Sequence, residues 1–200
     1  TNSKIERGDY ICYSFQAIKF LTSSDGGILI TPKEKEKDSR LLRWYGLDRE
    51  KGQSFRCTQD IQKPGFKYHM NDVSAAIGIE NIPIARISVD KHRENSRYLY
   101  RNIKNKDILL PEWNDNCSYW LFTIHILTGR KKEFTEYMQS KKISVSPVHF
   151  RNDKYTCTNS FDENNLKGVN EFTETQIAIP NGWWLNKKDL DYIIEIVNNF

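Results

Sequence analysis

No stretch of the 200-residue chain approaches the roughly 18 consecutive apolar residues that a membrane-spanning helix needs. The first ten residues, TNSKIERGDY, lack the apolar centre of a secretory leader, so the expectation is a soluble, cytoplasmic protein without a membrane partner. Cysteine is sparse: Cys12, Cys57, Cys117 and Cys157 form no CxxC pair that would seed a zinc or redox site, and reduced thiols are the simplest reading. His69, His92 and His125 show no metal-ligand spacing, and no metal is expected. Charge of one sign is also missing. With 30 basic and 26 acidic residues the net charge is +4, and the two signs are interleaved. The pairs Lys131-Lys132 and Lys141-Lys142 are therefore a weak basis for nucleic-acid binding, which is not expected. Internal repeats and low-complexity tracts are absent.

What is present suits a folded domain. Hydrophobic residues make up 38% and aromatics 12% of the chain, enough for a core, while the 28% of charged residues supply a solvated exterior. YICYSF (residues 10–15) and GILIT (27–31) are short, apolar and rich in β-formers, which predicts two strands joined by a turn. Pro32 then opens a predicted surface helix whose apolar stripe is Leu41, Leu42 and Tyr45, with Gly46 just past its end. Residues 47–66 read as a long loop. Asn71 is a candidate N-cap for a helix that Pro83 should end or kink, and a second helix is expected over about 84–103. Beyond Pro111 the pattern predicts a strand at Tyr119 to Thr128, a helix at 130–141, a strand at 143–150, a polar irregular segment at 151–170 and a C-terminal helix from Lys187 to Asn199. The class expected is α/β, with a boundary near Pro83.

The chemistry turns on one lysine. Lys19 lies between the first two predicted strands, with Ser14, Gln16, Thr22, Ser23 and Ser24 around it and Asp25-Gly26-Gly27 closing the turn. A lysine among small hydrogen-bonding groups, next to glycines that let backbone approach a ligand, suits an aldehyde-bearing phosphate cofactor. An ordinary solvent-facing lysine is the competing reading.

The residues carry a resemblance. YSFQAIKFLTSSDGG resembles the Schiff-base segment SF(H/Q)xxKxLTxGxGG of the DegT/DnrJ/EryC1/StrS family of pyridoxal-phosphate-dependent sugar aminotransferases, and GFKYHMNDVSAAIGIENI resembles that family's GYNYRMSDIQAALGLAQL segment. The C-terminal part, with YWLFTIHI, ISVSPVHFRNDKY and IAIPNGWWLNKKDLDYII, is similar to the small-domain end of these enzymes, including a branch carrying RND and GWW. The resemblance implies a partial type I, aspartate aminotransferase-like fold. Residues 1–83 would be the end of the large cofactor domain and 84–200 the small C-terminal domain.

It also implies roles. Lys19 would bind pyridoxal 5'-phosphate as a Schiff base and shuttle the catalytic proton; relatives that dehydrate instead carry histidine there. Ser14 would bind the cofactor phosphate, with Gln16 beside it. Lys67 stands where asparagine is usual and would reach the cofactor phosphate of a neighbouring subunit, implying a homodimer with shared active sites. His149, Arg151 and Asn152 fall where the small domain approaches the substrate, a nucleotide-linked deoxysugar aminated at the expense of an amino-acid donor such as glutamate. Trp183-Trp184 could stack on a sugar or base, although an aromatic pair before a terminal helix is more often a core anchor.

The family's aspartate partner of the pyridine nitrogen lies a few tens of residues before the lysine, and Asp9 is too close to fill that place. The expectation is thus the C-terminal half of a larger enzyme, with little turnover alone. The alternative is a non-catalytic fragment or partner subunit that dimerises and binds ligand.

Overall fold

The computed structural model describes residues 8–51, 58–127, 129–158 and 166–200. Parts of the two predicted irregular segments (52–57 and 159–165), Thr128 and the first seven residues lie outside the described residues. The chain divides into two compact units, one running to Arg86 and the other from Ile87 to Phe200.

In the N-terminal unit, β1 (Ile11–Ser14) and β2 (Gly27–Ile30) pair antiparallel, with Ile11 opposite Ile30 and Ser14 opposite Gly27. A single 3-10 turn, Lys33–Lys35, follows Pro32 and leads into α1 (Glu36–Leu42), shorter than the predicted helix. The chain then closes on itself, Gly46 N donating to Leu41 O at 2.8 Å. The stretch around Lys67 returns along this turn: Phe66 N donates to Leu42 O at 2.6 Å, Tyr68 N to Arg43 O at 2.9 Å, and Lys67 bridges Trp44.

Asn71 caps α2 (Asp72–Asn102), its Oδ1 accepting from Ser74 N at 2.8 Å. Pro83 lies inside this helix and does not end it, contrary to the sequence expectation of two helices. Proline forfeits one backbone donor, but its fixed φ is helical. A helix of 31 residues keeps its ladder on both sides of that single gap.

The C-terminal unit is built on an antiparallel sheet of order β3-β4-β5, where β3 is Ile108–Leu109, β4 Phe122–Ile126 and β5 Gln176–Ile179. Phe122 faces Ile179 and Ile124 faces Ile177. Alternation in β4 sends Phe122, Ile124 and Ile126 into the core. There they meet Leu99 of α2, Phe134 and Met138 of α3 (Lys131–Ser140), and Leu190, Ile193, Ile196 and Val197 of α5 (Lys187–Asn198). Each such side chain contributes about 1.5–3 kcal/mol on burial. Asn186 caps α5 in a reciprocal capping box with Asp189.

Two expectations fail here. The predicted strand at 143–150 is reduced to one bridge, Ser146 to Ala178; at the next ladder position Val148 N donates instead to the Gln176 side-chain Oε1 at 3.1 Å. The irregular segment predicted to run to residue 170 instead turns helical as α4 (Lys167–Thr175), which runs directly into β5.

Candidate active site

Lys19 sits in a connection that its own backbone folds shut. Phe15 N donates to Gly26 O at 2.8 Å, Ser23 N to Phe15 O at 3.0 Å and Lys19 N to Gln16 O at 2.9 Å. Side chains tighten it: Thr22 Oγ1 accepts from Ser24 N at 3.0 Å, and Ser23 Oγ donates to Asp25 O at 2.6 Å. Ser23 is fully buried, whereas Lys19 is half-buried. Gly27 is required by close approach, since a Cβ there would lie 2.4 Å from Tyr13 O. Gly26 adopts φ +118°, a conformation closed to most L-residues.

The two segments that carried the resemblance meet in this unit. Ser23 Cβ lies 3.2 Å from where a Cβ on Gly78 of α2 would be, so the small residue lets the connection seat on the helix. Asn81, one turn further along, donates to Thr22 O at 3.1 Å, and Met70 packs on the Gly26 turn. Sequence reasoning missed Asn81. Its signal was the spacing Ser74, Gly78, Asn81, which shares one helical face.

Ser14 accepts from Gln16 N at 3.3 Å, which leaves its hydroxyl proton to donate elsewhere. The donor set fits pyridoxal phosphate: a primary amine for the aldehyde and a hydroxyl donor for the phosphate. Lys67 is exposed on its bridge to Trp44. Beside it, the His69 ring stands edge-on to Trp44 with centroids 3.7 Å apart. Burial, and then the charges of Lys67, Arg49 and Arg43, hold its imidazole below the usual histidine range.

His149, Arg151 and Asn152 belong to the C-terminal unit, where they line one cleft of about 730 Å³ with Phe150, Tyr155 and Leu166. Arg151 is 9% exposed in its side chain, and its Nε donates to Asp153 Oδ1 at 2.9 Å. Its guanidinium also bonds Asn170. Arg151 in turn holds the Asp153 carboxyl below the usual carboxylate range, chiefly by hydrogen bonding. The arginine is thus already ion-paired, while His149 and Asn152 are exposed. Trp183 and Trp184 are not core anchors: they are 59% and 65% exposed.

A lysine-bearing turn thus seats on a small-residue helix, and the comparisons give the family of the chain. The chain belongs to the DegT/DnrJ/EryC1/StrS aminotransferase family, whose model matches residues 5–198. It is similar to the sugar aminotransferase CalS13 from Micromonospora echinospora, at 26% identity and TM-score 0.85, over 95% of this chain and 52% of that one. It shares its fold with Helicobacter pylori PseC, an aminotransferase involved in the biosynthesis of pseudoaminic acid (23% identity, TM-score 0.87, 99% of this chain and 55% of that one). Spr1654 from Streptococcus pneumoniae, in its PLP form, matches at 19% identity and TM-score 0.81 over 96% of this chain and 51% of that one. The chain spans about half the length of these proteins and of an uncharacterized curated relative from Methanocaldococcus jannaschii, 24% identical over 96% of this chain and 53% of that one.

Proposed function

We propose that this chain supplies the lysine-bearing part of a pyridoxal-phosphate-dependent aminotransferase acting on a nucleotide-linked deoxysugar, with glutamate as amino donor, in surface polysaccharide or amino-sugar biosynthesis. The observation that carries the reading is Lys19 in a closed connection between paired strands, seated on the α2 segment with which it forms the family pattern. Residues 1–83 belong, on this reading, to a large cofactor domain and 84–200 to a small one.

When bound, the cofactor supplies an aldehyde for the lysine amine and an electron-withdrawing ring that stabilises charge on the substrate carbon. Lys19 Nζ anchors it and takes up and returns the proton. Ser14 Oγ donates to the phosphate, Gln16 lies alongside, and Lys67 offers a point charge to the phosphate of a partner subunit in a homodimer. His149 and Asn152 contribute hydrogen bonds to the sugar substrate, and Arg151 orders their loop through Asp153 while facing the same cleft.

Titrating the chain with pyridoxal phosphate tests this. An imine absorbance band is expected in the wild type and absent in Lys19→Ala; an equal band in both would overturn the assignment of the anchor.

A further inference from the structure

A second cleft of the C-terminal unit, of about 970 Å³, is lined by Lys131 at the start of α3, Thr173 and Glu174 of α4, Gln176 of β5 and the segment 147–151. Gln176 is 1% exposed. Its Oε1 accepts from Val148 N at 3.1 Å, and among the described residues its Nε2 has no hydrogen-bond partner. A buried amide that uses only its oxygen leaves two N–H donors to be satisfied at the cleft it lines.

Lys131 supplies the charge. It is half-buried, and its Nζ donates to Thr173 O at 2.7 Å, one of the three bonds an ammonium can make. Burial holds the amine below the ordinary lysine value, so a bound anion would offset a desolvation that the fold already imposes. The other charged groups narrow the ligand. Arg151 is committed to Asp153 and Asn170, and Lys154 has an interaction of its own. Glu174, which is exposed, is the one acid among the described lining residues. One ammonium with bonds to spare, next to one buried amide, suits a single negative charge; a phosphate dianion would want a second cation. Pro147, Val148 and Phe150 give the rest of the cleft apolar walls.

We propose that this cleft binds a small monocarboxylate with an apolar tail, the carboxylate accepting from Lys131 Nζ and Gln176 Nε2 and the tail lying against Val148 and Phe150. It shares His149, Phe150 and Arg151 with the cleft assigned to the sugar substrate, but Lys131 and Gln176 line this one and not that one. The site makes no use of Lys19, and the measurement needs no pyridoxal phosphate, so its failure is separable from failure of the aminotransferase reading.

Calorimetric titration of the purified chain with hexanoate tests it, with acetate, hexylamine and inorganic phosphate for comparison. Hexanoate is expected to bind more tightly than all three. Lys131→Met, which keeps the stem and removes the charge, should weaken hexanoate by roughly 10- to 150-fold, the range for losing a hydrogen bond to a charged group, while Lys131→Arg retains most of the affinity. Phe150→Ala, at a residue 63% exposed, should weaken hexanoate several-fold and carries the test if Lys131→Met does not fold. Thermal unfolding of the variants checks that the fold persists. No binding of hexanoate, binding of acetate, hexylamine or phosphate as tight as that of hexanoate, or an affinity indifferent to either folded variant would each overturn the proposal.

Discussion

The two units of this chain solve folding differently. In the C-terminal unit every position of β5 is buried and β4 alternates between buried and half-buried, whereas in the N-terminal unit all four residues of β2 are exposed. Among the described residues, Leu47 is the one buried hydrophobic residue of the N-terminal unit. Ile28, Leu29 and Ile30, and Val73, Ile79 and Ile82 on α2, are 40–72% exposed. One unit is held by a hydrophobic core, the other by turns, caps and short backbone bonds. The two units thus differ in how much apolar surface their own residues bury, and Lys19 lies in the unit that buries less.

The contrast is sharpest in paired truncations. Phe122→Ala, at a residue 1% exposed, should cost about 3–5 kcal/mol of stability in urea unfolding. Leu29→Ala, at a residue 47% exposed, should stay within about 0.5 kcal/mol. Comparable losses for the two would break the comparison.

A smaller effect is expected within the polar part of the C-terminal unit. Asn181→Ala removes the amide that satisfies Ser96 and the Tyr119 carbonyl, and should lower stability by about 1–3 kcal/mol. It should also quench the order of Trp183 and Trp184, seen as a loss of near-ultraviolet circular dichroism. An unaltered spectrum would show that these bonds do not hold the tryptophans.

The gentlest probe is pH. Burial holds His92 and His125 below the ordinary histidine value of 6.5, outweighing the Ser88 carbonyl at His92 and the Glu171 charge at His125. In the unfolded chain both take up protons near that value, so the unfolded state binds more protons as pH falls. Stability of the C-terminal unit should therefore be full above about pH 6.5 and decline below it. Denaturant midpoints at pH 7.5 and 5.5 measure this, and His125→Gln should flatten the slope. Stability that rises on acidification would contradict the sign.

Much of this was legible in the sequence, and the parts that were not have physical reasons. The β1–β2 hairpin, the Asn71 cap and the terminal helix follow from alternation, capping chemistry and 3.6-residue period. Pro83 misled because a local breaker rule was applied to a helix long enough to absorb one lost bond. The 143–150 strand misled in the opposite sense: after the Ser146–Ala178 bridge the chain leaves the ladder, Val148 N turning to the Gln176 side chain. β5 and α4 were hidden because their boundary, Thr175 to Gln176, carries no turn residue. For the site, Lys19 and its hydroxyl neighbours were visible as a motif. The seating of Ser23 on Gly78 and the Asn81 bond to Thr22 were not, since they join residues far apart in the chain. Arg151 was visible as a cation, but its ion pair with Asp153 depends on the turn geometry at 151–154.

The central proposal is that Lys19 is the covalent anchor although, among the described residues, Leu47 is the one hydrophobic side chain its unit buries. Borohydride reduction of the chain with pyridoxal phosphate, followed by peptide mapping, tests this most directly. The account predicts a single pyridoxyl adduct on Lys19, lost in Gly27→Ala, where a methyl group would collide with the Tyr13 carbonyl. An adduct spread over surface lysines with no preference for Lys19 would contradict it.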